Sequence, residues 1–384
     1  MPPIAMRSSA TWPNWALPGS TASPCPAAGR GWPSGRMPKY GLYRAAFEML
    51  ALPGVAAALR RRSAARGVIF TLHRVLPTRP AAFAPNAILQ ITPDFLEAVI
   101  GKVRAAGFEI VDLDEALRRL EAPQAKPFVV LTFDDGYRDN LEYALPVLEK
   151  HGAPFTLYIP TALVDGVGLV WWQALEDIIA AHDLVTVDLP EGPHYGDAAT
   201  LAQKNATFAF AYERYRKMPE PEREASIRAL AERYGFDLAA HCRSLIMDWS
   251  ELKRFADHPL CTIGAHTVHH FELSKLPPAE MRAEIEHSRS VLAAQFGQTP
   301  RHLSYPIGGV AAAGPREFEA ARELGFASAV TTRPGGLYPE HAAHATALPR
   351  ISLNGLFQRK RFIDVLMTAE VFTLMRRGRR LDIA

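Results

Sequence analysis

From residue 67 onward, short runs of apolar residues alternate with stretches of helical periodicity. Val68-Ile69-Phe70-Thr71-Leu72-His73, Phe128-Val129-Val130-Leu131-Thr132-Phe133 and Phe155-Thr156-Leu157-Tyr158-Ile159 are nearly unbroken in apolar character, the pattern of strands covered on both faces. Between them, Thr92-Pro93-Asp94 predicts a capped helix start with Pro at the first helical position, and Gly107 its stop. A second helix is predicted over 140–151, ended by Gly152. Beyond residue 249 the alternation resumes, with helices over 250–257, from Pro277-Pro278 to about Gly297, and over 315–324, and strands over 262–266, 303–305, 327–331 and 347–353. Residues 170–249 break the rhythm and read as an inserted helical segment. Residues 42–62 read as a helix interrupted at Pro53-Gly54, and the tail from Gln358 as one basic amphipathic helix.

Repeated strand–helix units favour a parallel sheet, either open or closed into a barrel. Ligands of such folds meet the carboxyl ends of the strands. Asp134-Asp135, His266, Tyr305-Pro306 and His73 each fall at or just past the end of a predicted strand, although none is a sequence neighbour of another segment. A shared site is therefore expected.

Composition narrows the classes of function. A net charge of +3, with no basic stripe interleaved with aromatics, argues against a nucleic-acid partner. Basic residues cluster at Arg60-Arg61-Arg62, at Arg359-Lys360-Arg361 and at Arg376-Arg377 with Arg379-Arg380. These read as solvated helix faces, weak attraction of the basic termini to an anionic membrane surface being the rival reading. Cys25, Cys242 and Cys261 are too few and too scattered for a disulfide framework. No apolar stretch approaches the ~20 residues a bilayer requires, and no signal peptide is evident, so a cytoplasmic location is expected. Residues 1–36, rich in Pro, Gly, Ser and Ala, read as disordered or as an extension upstream of Met37. The expected organisation is then a helical segment over 37–64, a main domain over 65–356 with its insertion, and the tail over 357–384.

The candidate chemistry lies in three motifs. Phe133-Asp134-Asp135-Gly136-Tyr137 places two carboxylates at the tip of an apolar strand, where charge is costly unless paired. His266 and His270, four apart in His266-Thr267-Val268-His269-His270, have metal-ligand spacing, but Thr267 follows the first His where a metalloprotease carries its Glu base. The proton acceptor must come from elsewhere, and Asp134 or Asp135 can supply it. A divalent cation on one Asp and the two His lets the other Asp stay ionised as a base. His269 is an alternative ligand, expected instead to face solvent or to support the ligands. In Leu303-Ser304-Tyr305-Pro306-Ile307-Gly308-Gly309, the turn after a short strand holds backbone N–H groups that can face a developing oxyanion.

Thr132-Phe133-Asp134-Asp135-Gly136-Tyr137, the His266–His270 motif and Tyr305-Pro306-Ile307-Gly308 resemble, in order, three motifs of the polysaccharide deacetylases, carbohydrate esterases of family 4 with a NodB homology domain. The resemblance covers about residues 65–356. It implies a distorted (β/α) barrel of about seven strands, with a helical insertion and helical extensions. It implies Asp134 as catalytic base, and Asp135, His266 and His270 as ligands of a divalent metal, usually zinc. Thr267 would brace the metal-site loop and the Ile307 N–H would stabilise the oxyanion, with Tyr137, Tyr305 and Pro306 at the substrate. The implied reaction is hydrolysis of an N-acetyl group on a hexosamine of an N-acetylated glycan.

Two departures stand out. Family members often carry an Arg, where this chain has Ser304, to orient the base; Arg350 and Arg333 are the candidate substitutes. The late Leu-x-His motif that supplies the general acid is not evident after residue 351. Leu72-His73-Arg74-Val75 resembles the opening strand of an exopolysaccharide-processing branch, which makes His73 the candidate acid. His341 and His344 are the other candidates, expected as exposed loop residues. Trp171-Trp172 and Trp249 are candidate sugar platforms, with core packing as the plainer expectation. Competing readings are a binding protein of the same fold with impaired catalysis, and an O-deacetylase or amidohydrolase acting on a small substrate.

Overall fold

The structure is a computed structural model that describes residues 47–122 and 126–383. The segment expected to be disordered, 1–36, lies outside the described residues. The described residues form twelve strands: β1 Gly67–Leu72, β2 Arg74–Val75, β3 Gln90–Ile91, β4 Glu109–Ile110, β5 Phe128–Phe133, β6 Phe155–Ile159, β7 Leu184–Leu189, β8 Gly192–Asp197, β9 Cys261–Ala265, β10 His302–Ser304, β11 Ser328–Val330 and β12 Ile351–Ser352. Eight of them form one parallel sheet, with the continuous path β11-β10-β9-β6-β5-β1-β12. Short β4 pairs with the first two residues of β5, while β6 pairs with its second half. A parallel bridge between Val330 and Leu348 ties the β11 end of the path to the chain just before β12. This is the expected α/β architecture, a distorted barrel of seven principal strands.

Strand side chains alternate between two apolar clusters, as a period of two requires. Val68, Phe70, Leu72, Val129, Leu131 and Phe133 belong to the large core beneath the surrounding helices. Ile69, Phe128, Val130, Tyr158 and Val330 form a smaller cluster with Leu113, Ala116 and Leu120 of the Leu113–Glu121 helix. Toward the carboxyl ends this second face turns polar, with Thr132, Asp134 and Ser304 all buried. The Pro93–Ala105 helix starts as its sequence predicts: the Thr92 Oγ1 accepts from the Phe95 N–H at 3.2 Å, and Phe95, Leu96, Val99, Ile100 and Val103 face the core.

Three features differ from the sequence expectations. The insertion is not wholly helical, because β7 and β8 form an antiparallel hairpin between the Trp171–Ala181 and Leu201–Lys217 helices. Leu184-Val185-Thr186-Val187-Asp188-Leu189 buries alternate residues, a period of two that the surrounding helical composition obscures. The tail is two short helices, Lys360–Leu366 and Ala369–Met375, not one. Both bury apolar residues (Phe362, Ile363, Val365 and Leu366; Val371 and Phe372), so the tail packs on the domain as part of its core. The last strand is also shorter than expected, since a 3-10 helix, Pro339–Ala347, precedes it.

His302 opens β10 fully buried, with its Nδ1 2.8 Å from the Ser328 Oγ. Burial pushes its pKa down to about 4, against the opposing pull of Asp114. It is neutral in the fold and protonated more readily when unfolded. Its contribution is therefore complete above about pH 6.5 and is lost as pH falls toward 4. Urea unfolding at pH 7 and pH 5 is expected to show a stability loss about 2 kcal/mol larger for the native protein than for His302→Gln. Equal losses would contradict this.

Candidate active site

Parallel register places the site. Leu72 pairs with Phe133, so His73 and Asp134 leave neighbouring strands side by side. Ile159 pairs with Ala265, and the His266 N–H donates to the Ile159 carbonyl at 3.1 Å, which brings the histidine loop to the same rim. Ala265 in turn pairs with Leu303, and Ser304 with Val330.

Asp135, His266 and His270 converge, with potential ligand atoms all within 4.8 Å of one another. Asp135 Oδ1 lies 3.5 Å from His266 Nε2 and 3.3 Å from His270 Nε2. His266 Nδ1 is 2.7 Å from the Ser304 carbonyl. A carbonyl only accepts, so Nδ1 carries the proton and Nε2 turns its lone pair toward Asp135. Asp135 Oδ1 is buried and accepts no hydrogen bond among the described residues. An oxygen left bare between two imidazole nitrogens fits a cation held by N and O donors. Burial alone would raise the Asp135 pKa, but His266 and His270 draw it below the usual value. Burial pushes His270 down to about 3, keeping it neutral as a ligand must be.

Asp134 faces a different partner. Arg350 Nη1 donates to Asp134 Oδ1 at 2.8 Å and Nη2 to Oδ2 at 2.7 Å, a bidentate pair with both groups buried. The guanidinium also donates to the Thr331 carbonyl (2.9 Å), Thr132 Oγ1 (3.1 Å) and Ser304 Oγ (2.9 Å), so all five N–H donors are used. Burial would raise the Asp134 pKa, yet the Arg350 charge, helped by His266, holds it well below the carboxylate range. Arg333, the other candidate, instead donates to the Ala313 carbonyl and to Asp382.

Backbone strain is concentrated here. Among the described residues, five non-glycine residues have φ in the left-handed region, and Asp135 (75°), Thr267 (64°), His270 (60°) and Ile307 (61°) are four of them. Thr and Ile adopt such angles at real cost, because their branched Cβ crowds the backbone. Thr267 Oγ1 accepts from the His270 N–H at 3.1 Å, bridging the histidine turn. Gly308 (φ 60°) follows Ile307, and an added Cβ there would sit 2.8 Å from the Thr332 nitrogen and 2.9 Å from the Tyr305 carbonyl oxygen. Among the described residues the Ile307 N–H donates to no acceptor, while its carbonyl accepts from Thr332 Oγ1 at 2.5 Å.

His73 is close enough to both aspartates for its charge to lower their pKa values. Other expected residues are placed differently. The Tyr137 ring is fully buried, with its hydroxyl accepting from Trp172 Nε1 at 2.9 Å, and Trp172 packs 5.0 Å from the His270 ring. Tyr137 thus supports a candidate ligand from below, where the sequence put it at the substrate. Tyr305 is also buried and donates to the Thr346 carbonyl at 2.8 Å, so its hydroxyl is engaged within the core. His269 turns away, its Nδ1 2.6 Å from Glu284 Oε1. His341 is buried, not exposed, with Nδ1 accepting from the Tyr338 N–H at 3.0 Å. Trp171 and Trp172 are buried packing residues. The sequence marks Ser304 only as the position of a missing Arg and Trp172 only as a sugar platform or packing residue; the bonds of Ser304 to Arg350 and of Trp172 to Tyr137 appear only in the fold.

Known proteins resemble this chain in sequence and in fold. A family model for polysaccharide deacetylases matches residues 121–185 and 200–329, just over half of the chain. YxkH of Bacillus subtilis (strain 168), whose name places it among the polysaccharide deacetylases, is 29% identical over 224 residues, 58% of this chain. The chain spans about half (51%) of that relative's length. Among solved structures, the Streptococcus pyogenes deacetylase PplD in complex with acetate aligns over 78% of this chain and 97% of its own, at 18% identity and a TM-score of 0.52. IcaB from Ammonifex degensii aligns over 78% and 97% at 18% identity, with a TM-score of 0.49. At such identities the PplD likeness is one of fold, while the match across both carboxylates and the histidine loop is one of lineage: the chain belongs to the polysaccharide deacetylase family.

Proposed function

We propose that this protein removes N-acetyl groups from hexosamine residues of a polysaccharide or oligosaccharide, using a divalent cation held by Asp135, His266 and His270. The observation that carries the reading is the division between adjacent carboxylates. Asp134 is ionised and clamped by Arg350, while Asp135 turns a bare oxygen toward two imidazoles. Two histidines and a carboxylate suit zinc. When bound, the cation supplies Lewis acidity and makes water acidic enough to ionise near neutral pH. Family membership, and the acetate bound to PplD, support an acetyl group as the target.

In this reading Asp134 accepts the proton given up as a water oxygen bonds to the acetyl carbon. Arg350 fixes the carboxylate's orientation and keeps it unprotonated until that moment. The Ile307 N–H donates to the carbonyl oxygen as it becomes negative. The C–N bond then breaks, acetate leaves, and His73 gives a proton to the departing nitrogen, freeing the amine. Thr267, Trp172 and Tyr137 position the histidine loop.

Acetate release from N-acetylglucosamine oligomers is expected to fall by at least ~10²-fold in Asp134→Asn, with about one divalent metal per chain in both proteins. Full activity in the variant would remove the base assignment. Chelation is expected to abolish acetate release by the native protein, and added zinc to restore it; turnover that survives complete metal removal would contradict the cation's role. For Arg350→Met, a buried carboxylate left without its cation is expected to cost about 3–5 kcal/mol in urea unfolding. An unchanged unfolding midpoint would show that the pair is not holding the site.

A further inference from the structure

The two ends of the described chain form one layer. Phe47 packs on Phe357 and Phe362, with ring centroids 4.9 and 5.6 Å apart. Arg60, in the Val55–Arg61 helix, donates to the Asp364 carbonyl at 2.7 Å. Residues 47–63 and 356–383 together hold ten basic and four acidic side chains, a surplus of six on a chain whose total is only +3. Charge is therefore polarised onto this layer. Arg359 and Arg361 share Glu48, and Arg376 faces Asp382, but among the described residues no carboxylate lies within ion-pair distance of Arg61, Arg62, Lys360, Arg377 or Arg379.

The same two segments also carry exposed apolar side chains. Of twelve large hydrophobic side chains exposed among the described residues, six lie in these two segments: Met49, Leu52, Val55, Leu356, Leu374 and Met375. Met49 and Leu374 are the most exposed, at 69% and 67%. Scattered exposed apolar residues mean little, but their concentration among unpaired arginines is the composition of a surface that rests in a headgroup region. No helix among the described residues is long and apolar enough to cross a membrane.

We propose that this layer, built from both ends of the described chain, is a docking surface for an anionic lipid bilayer. Arginines meet the acidic headgroups, and Met49, Leu52, Leu374 and Met375 enter the interface between headgroup and acyl chain. A soluble polyanion would use the arginines but gain nothing from the exposed methionines and leucines, which is why a lipid surface fits better. The inference does not rest on the deacetylase reading.

Cosedimentation of the full-length protein with phosphatidylcholine vesicles, with and without about one-third phosphatidylglycerol, tests it. The native protein is expected to pellet with the anionic vesicles only, and less as salt is raised. The quadruple variant Arg61→Gln, Arg62→Gln, Arg377→Gln, Arg379→Gln is expected to bind at least ~10-fold more weakly. Met49→Ser, Leu52→Ser, Leu374→Ser is expected to weaken binding several-fold at high salt, where the apolar contribution remains. Circular dichroism matching the native protein excludes misfolding of either variant. No binding by the native protein, or native-like binding by both variants, overturns the proposal. So does native affinity of the apolar variant together with equal binding to dextran sulfate, which would point to a soluble polyanion.

Discussion

A buried guanidinium organises this molecule. Arg350 reaches from just before β12 to side chains of β5 and β10 and to the carbonyl of Thr331 after β11, with every donor engaged. Buried charge is stabilising only when its partners are complete, since a single missing acceptor leaves a desolvated donor. Here completeness spreads outward: Thr132 Oγ1 accepts from Arg350 and donates to the Phe70 carbonyl, and Ser304 couples the pair to the histidine loop through its carbonyl. The ionised Asp134 is thus a consequence of how the sheet is tied together.

The backbone shows the other half of the arrangement. Left-handed φ at Asp135, Thr267, His270 and Ile307 turns each segment sharply at the rim. Strain of this order, about 1–3 kcal/mol per residue, persists only where surrounding structure enforces it. That enforcement is visible in the Thr267–His270 bond, the Thr332–Ile307 bond and the close quarters of Gly308.

Much of this was legible in one dimension. Apolar runs located β1, β5, β6 and β9, and the motifs at their ends named the residues that meet at the rim. What sequence left open was settled by reach across the fold. Arg350 and Arg333 were equal candidates for an arginine on Asp134, and both are buried; only their direction separates them. Arg350 and His73 also lie outside the stretch the family model covers. Tyr137 and Tyr305 looked like substrate residues because they adjoin the motifs, but core packing buries them. The β7–β8 hairpin and the split tail were missed because composition masked a local period, of two in one and a break at Thr368 in the other.

The proposed function depends on Asp135, His266 and His270, from distant segments, closing on one cation. Anomalous diffraction from crystals of the zinc-loaded protein tests that most directly. The account predicts one strong peak about 2.0–2.2 Å from an Asp135 oxygen and from the Nε2 atoms of His266 and His270, with Asp134 not coordinated. A peak elsewhere, or zinc bound through Asp134 with either histidine free, would contradict it.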